Sequence, residues 1–197
     1  MPSKTVKVET PDAHGSGAFV AADLVVTAAH VIHPQDQDEP WEAGRLTITL
    51  PDHHGTELPV LARLCHPRWG GEFNATADIA ILRVGEPQRG LVVPFASNAA
   101  ARQRAVSITG YREGPNQGTV TRVAGAGGRD VFDSDDLAYH EGVSGALVVT
   151  IAGQAIGVAT RSAAVPTHDA FIGIPFLDSG GESNLAWLIA NCPAEDD

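Results

Sequence analysis

The chain has only two cysteines, Cys65 and Cys192, so a fold stapled by several disulfides is excluded and at most one bridge is available. With 197 residues it has no need of staples: it can bury a core as one compact domain or as two small barrels sharing an interface. Cys65 lies in an apolar segment, where a free buried cysteine is common, and the sparse usage suits a reducing compartment. Basic residues are also scarce. Thirteen Lys plus Arg stand against 24 Asp plus Glu, for a formal charge of −11, and no basic run that would track a phosphate backbone occurs, which argues against nucleic acid as a partner. The acidic surface serves solubility and would equally suit a basic peptide or partner protein. A long apolar run is missing from the start as well: MPSKTVKVET reaches charged and polar residues first. Neither a signal peptide nor a membrane-spanning helix is therefore expected, no membrane partner is implied, and the chain is expected to be cytoplasmic.

Amphipathic helices are nearly absent. Instead, 21 Gly and 13 Pro punctuate short apolar runs, a pattern that reads as mostly β. Strands are expected at Gly17 to Ala21, Leu24 to Thr27, Leu46 to Leu50, Glu57 to Cys65, Ile79 to Val84, Val106 to Gly110, Gly118 to Ala124, Ala146 to Ile151, Gln154 to Ala159 and Ala170 to Pro175. Their spacing favours barrels or a sandwich over βαβ units. Ala28 to Ile32 predicts a single helical turn, and Glu182 to Asn191 predicts a C-terminal helix with Leu185, Leu188 and Ile189 on one face. The Ala-, Arg- and Asn-rich segment at 94–104 divides two strand-rich halves that show no sequence repeat. The acidic stretches Pro34 to Glu42 and Asp130 to Asp136 read as solvated loops, and Ala194 to Asp197 as a solvated tail or the start of a linker.

Hydrolysis of an amide needs an activated nucleophile, a base for its proton, and donors for the charge that grows on the carbonyl oxygen. Gly142-Val143-Ser144-Gly145 opens an apolar strand with small residues on both sides of a serine. Such a turn exposes the hydroxyl together with nearby N–H groups, those of Gly142 and Ser144 being the candidate oxyanion donors; ordinary turn chemistry gives the same residues a bland reading. His30 ends Thr27-Ala28-Ala29-His30 just after a strand, a place that suits a base or a simple turn decoration. Asp78 opens the apolar run Ile79 to Leu82. A carboxylate there is partly buried and needs donors, either backbone N–H groups or an imidazole.

TAAH, DIAIL and GVSGALV, in this order, resemble the trypsin-like (chymotrypsin-fold) serine peptidases, including their compact bacterial members without a secretion signal. Gly15-Ser16-Gly17-Ala18-Phe19-Val20, His66-Pro67-Arg68-Trp69, Val106 to Tyr111 and Gly157-Val158-Ala159 resemble further segments of that family, so the likeness spans most of residues 14 to 176. It implies an all-β fold of two six-stranded antiparallel barrels packed face to face: a first barrel over about 14–93, a linker at 94–104, a second barrel over about 105–176 and a short C-terminal helix near 182–191. It also implies an endopeptidase with Ser144 as nucleophile, His30 as general base and Asp78 orienting it, acting on a peptide or protein and using no cofactor or metal. His66 gains a non-catalytic place in the His-Pro segment.

Three positions depart from the family. Val143 stands where secreted relatives carry the Asp that pairs with a new N-terminus, so activation by that ion pair is not expected, and control would fall to a regulatory partner or a fused domain. Ala138 replaces the acidic base of the trypsin pocket, although Asp133, Asp135 and Asp136 lie just upstream. Ala159 stands where glutamate-specific relatives carry a histidine. Tyr139, Ala159, Thr160 and Arg161 are expected to line the substrate cleft and Glu141 to stand beside it, with small, basic and acidic preferences all open. A latent or inactive domain used to bind peptides is the alternative.

Overall fold

Alternating β-branched and polar residues build β1 (Thr5–Glu9), which buries Val6 and Val8 and leaves Lys7 and Glu9 half-buried. β2 (His14–Ala21), β3 (Leu24–Thr27), β4 (Thr47–Leu50), β5 (Thr56–Cys65) and β6 (Ala80–Val84) follow. The computed structural model describes residues 4–33, 39–50, 55–69, 77–96, 103–111, 116–124, 130–138, 142–160, 170–177 and 183–196. Neighbouring strands pair antiparallel in the order β1-β2-β3-β6-β5-β4 and close into a barrel. Closure leaves no edge strand to recruit another chain. The two-residue turn at Ala22-Asp23 links β2 to β3, and Asp23 accepts a charged hydrogen bond from Arg83 on β6.

The second half repeats this topology. β7 (Gln103–Ile108), β8 (Asn116–Ala124), β9 (Asp130–Ala138), β10 (Leu147–Thr150), β11 (Ala155–Thr160) and β12 (Ala170–Pro175) close in the order β7-β8-β9-β12-β11-β10. Inward-facing Val106, Ile108, Val120, Phe132, Val148 and Ile156 form its core. The core of the first barrel, around Phe19, Val25, Ile48, Leu58 and Ile81, continues into Leu147, Val158, Ile174 and Phe176. The barrels are thus joined by shared apolar burial, at about 25 cal/mol per Å² removed from water. α1 (Ala29–Ile32) is the expected single turn after β3. α2 (Asn184–Asn191) is capped by the Ser183 hydroxyl, which accepts the Ala186 N–H at 2.9 Å, and it sends Leu185 and Leu188 into the first core.

Three expectations are corrected. The first barrel begins at Thr5 rather than near 14: it includes the five-residue strand β1, whose pairing with both β2 and β4 is what closes the sheet. The acidic segment Asp130 to Asp136 belongs to a strand, β9, and not to a solvated loop. Charge density gave the wrong sign here because β8 and β12 pair with β9 on either side, and Val131, Phe132, Ser134 and Leu137 turn into the interior. The described end of the chain is pinned at Pro193 and Asp196 rather than free. The Asp196 carboxylate accepts the N–H groups of Arg63 (3.1 Å) and Ala43 (3.3 Å), its own N–H donates to Leu61 O, and Arg83 holds Pro193 O at 2.7 Å. No helix among the described residues is long and apolar enough to cross a membrane.

Both cysteines are free. Burial pushes the Cys65 thiol up to about 12, with the Asp78 carboxylate adding to the rise, and burial raises Cys192 in the same direction. The folded state therefore holds protons that the unfolded chain gives up near its ordinary thiol pKa of about 8.5. The associated stability is present below that pH and is lost as pH climbs toward 12. Urea unfolding at pH 8, 9 and 10 is expected to show falling stability, and Cys65→Ala is expected to flatten most of that slope.

Candidate active site

Asp78 sits at the centre of a three-residue turn closed by the Ile79 N–H on Ala77 O at 2.8 Å, immediately before β6. At 1% exposure it is cut off from water, and three donors offset that cost. The His30 backbone N–H donates to Oδ1 at 2.8 Å, His30 Nδ1 lies 2.6 Å from Oδ2, and the Thr160 hydroxyl donates to the same Oδ2. A carboxylate only accepts, so the proton between the two belongs to Nδ1. Nε2 is then left to accept the Ser144 hydroxyl, 2.7 Å away. The residues of this line are separated by 48 and 114 positions in the chain. His30 and Asp78 come from the first barrel and Ser144 from the second.

The turn that carries Ser144 is braced on each side. The Ala146 N–H donates to Val143 O at 2.9 Å, while Gly145 N–H and Ala159 N–H exchange bonds with Ala159 O and Ala146 O at 2.8 and 2.7 Å. Gly142 and Gly145 have φ of +90° and +87°, a region open to glycine and strained for other residues. Val143 is 5% exposed and belongs to the second core. An apolar contact therefore stands where secreted relatives place an ion pair.

Gly145 has a second reason to be glycine. A Cβ there would penetrate Ser16 O, a backbone atom, and Thr27 Oγ1. Gly145→Ala is expected to cost roughly 2–5 kcal/mol from strain plus overpacking, read as a lower urea midpoint by tryptophan fluorescence.

Ala159 is fully buried in β11, opposite Gly173. Ala138 ends β9 in register with Ala170. Thr160 is fully buried and turns its hydroxyl to Asp78, a carboxylate being a stronger acceptor than solvent. Tyr139, Glu141 and Arg161 lie outside the described residues. His66 is 4% exposed, accepts the Arg68 N–H through Nδ1 at 3.3 Å and packs near Trp187, apart from the Asp78–His30–Ser144 line.

Sequence reading missed Ser16 and Tyr111. Ser16 Oγ donates to Gly142 O at 2.6 Å and accepts the Tyr111 N–H at 3.0 Å, and Ser16 N–H donates to Ser144 O at 2.7 Å. The available signal was a serine held between two glycines, Gly15 and Gly17, in an otherwise apolar strand.

No curated protein sequence is significantly similar. In fold, the chain resembles the active form of the Rv3671c protease from M. tuberculosis, with a TM-score of 0.63 and 18% identity over 98% of this chain and 81% of that one. It also resembles a Glu endopeptidase solved in complex with MPD, with a TM-score of 0.69 and 11% identity over 95% and 88% of the two chains. A third resemblance is to the scabies mite inactivated protease paralogue S-I1, with a TM-score of 0.65 and 18% identity over 94% and 92%. Identities this low speak for the double barrel alone. The trypsin-like peptidase domain family, however, matches the sequence itself over residues 15–158, a span that contains His30, Asp78 and Ser144. By its sequence and by its paired barrels, the chain belongs to the trypsin-like peptidase domain family.

Proposed function

We propose that the protein is a serine endopeptidase that cleaves peptide bonds through an acyl-enzyme on Ser144. One observation carries the reading: the hydrogen-bonded line Asp78 Oδ2, His30 Nδ1, His30 Nε2, Ser144 Oγ, with separations of 2.6 and 2.7 Å, assembled from two barrels. Ser144 Oγ attacks the substrate carbonyl carbon as its proton passes to His30 Nε2. Charge develops on the carbonyl oxygen, and the N–H groups of Gly142 and Ser144 are the donors assigned to it. When the C–N bond breaks, the proton on Nε2 moves to the leaving amine and the acyl group stays on Oγ. Water then gives a proton to His30, attacks the ester and releases the acid, and Ser144 recovers its proton. Asp78 stays ionised, holds the imidazole in one tautomer and stabilises the imidazolium. These steps need no cofactor.

The substrate is a peptide or protein, and the site is expected to need no N-terminal processing, since Val143 is anchored by apolar burial. A fluorophosphonate probe tests the reading: it is expected to acylate the wild-type chain on the peptide containing Ser144. A wild-type chain that resists the probe and cleaves nothing in a peptide library would overturn the assignment in favour of a peptide-binding module.

A further inference from the structure

Ser16 has no part in the chemistry above, yet it touches three of the four residues of the Gly142–Gly145 turn. It is fully buried in β2, on the opposite barrel. Its N–H holds Ser144 O at 2.7 Å, its hydroxyl holds Gly142 O at 2.6 Å, and its carbonyl occupies the space where a Gly145 side chain would start. A hydroxyl has one proton to give. Because the Tyr111 N–H donates to Oγ at 3.0 Å, one acceptor position is taken and the proton is aimed at Gly142. The Tyr111 ring closes the other side, with Cε1 2.9 Å from the position of a Gly142 Cβ.

We propose that Ser16 is a positioning residue for the oxyanion turn, its hydroxyl oriented by Tyr111 so as to lock the Gly142 carbonyl and with it the direction of the turn's amide donors. This inference rests on the peptidase reading. Glycine at φ +90° has wide rotational freedom, and the Val143 side chain contributes apolar contact, which has no preferred direction. A directional bond is what removes the remaining rotation, and donors fixed in advance need no reorganisation during the reaction. Since Ser16 and Gly142 are 126 residues apart and on different barrels, the lock forms only when the barrels dock. It supplies the ordering that an ion pair to Asp would supply in secreted relatives, without proteolytic processing.

Ser16→Ala keeps the backbone bond to Ser144 O and removes the lock together with the acceptor of the Tyr111 N–H. We expect kcat to fall about 10- to 100-fold, short of the full loss of an oxyanion donor, with KM within about twofold of wild type. Affinity for a peptide boronate, whose tetrahedral adduct places an oxygen in the same site, should fall with kcat. Deuterium exchange of the segment 142–149 should speed up, and Ser16→Cys, a weak donor of similar size, should recover part of both effects. Wild-type kcat and unchanged exchange in folded Ser16→Ala would overturn the proposal, as would joint loss of kcat and KM with no recovery in Ser16→Cys. If Ser16→Ala does not fold, Ser16→Cys is compared with wild type by the same readouts. Exchange needs no turnover: if wild type is never acylated, the peptidase reading falls, while faster or unchanged exchange still supports or overturns the lock.

Discussion

Turnover in Ser144→Ala is expected to drop by roughly 10⁵- to 10⁶-fold, with complete loss of fluorophosphonate labelling and a melting temperature close to that of wild type. The two halves of this result follow from different atoms. Ser144 Oγ is the group bonded to His30 Nε2 at 2.7 Å, so its removal leaves the imidazole with no proton to accept and no atom to form the acyl bond. The fold depends on the backbone of the same residue: Ser144 O accepts the Ser16 N–H, and the flanking Gly145 and Ala146 bond to Ala159. None of those bonds involves the hydroxyl, and loss of one side-chain hydrogen bond costs only about 1 kcal/mol. Labelling and thermal melting on the same preparation check both halves. Residual labelling of Ser144→Ala would place the nucleophile elsewhere.

Asp78→Asn should lower kcat by about 10⁴-fold while leaving KM and the fold nearly unchanged. The reason lies in the count of donors. Asp78 receives three, the His30 N–H on Oδ1 and both His30 Nδ1 and the Thr160 hydroxyl on Oδ2. An amide has one acceptor oxygen and one donor nitrogen. If its nitrogen takes the Oδ2 place, it faces His30 Nδ1 and drives the proton to Nε2, the tautomer that cannot accept from Ser144. If it takes the Oδ1 place, it opposes the His30 backbone N–H and unsettles the turn that carries the imidazole. Steady-state kinetics with an ester substrate separates the terms. A fall in affinity with kcat preserved would contradict the orienting role assigned to Asp78.

Much of the site was legible because its parts are local signals. Thr27 to His30 reads as strand followed by turn, and so it is. Gly142-Val143-Ser144-Gly145 reads as a sharp turn before an apolar strand, and the two positive φ angles supply it. The bond from Thr160 to Asp78 was not legible because a hydroxyl at a strand end looks the same whether it faces a substrate or a carboxylate 82 positions away. Ser16 went unread for a similar reason: nothing within a few residues of it shows that its partners are Gly142, Ser144 and Tyr111.

The amino-acid sequence by itself determined the mostly-β character, nearly every strand, both helices, and the three residues that line up as Asp78, His30 and Ser144. These follow from backbone preference, alternation of apolar and polar positions, and a motif order that acts over short stretches of chain. Only the tertiary structure decided that Asp130–Ala138 is a strand, that β1 closes the first barrel, that Thr160 serves Asp78 and that Ser16 grips the nucleophile turn. Each of those depends on pairing between distant segments, where a partner's hydrogen bonds and burial outweigh local propensity. The same holds for the Asp78–His30–Ser144 line, whose spacing exists because two closed barrels share one apolar interface.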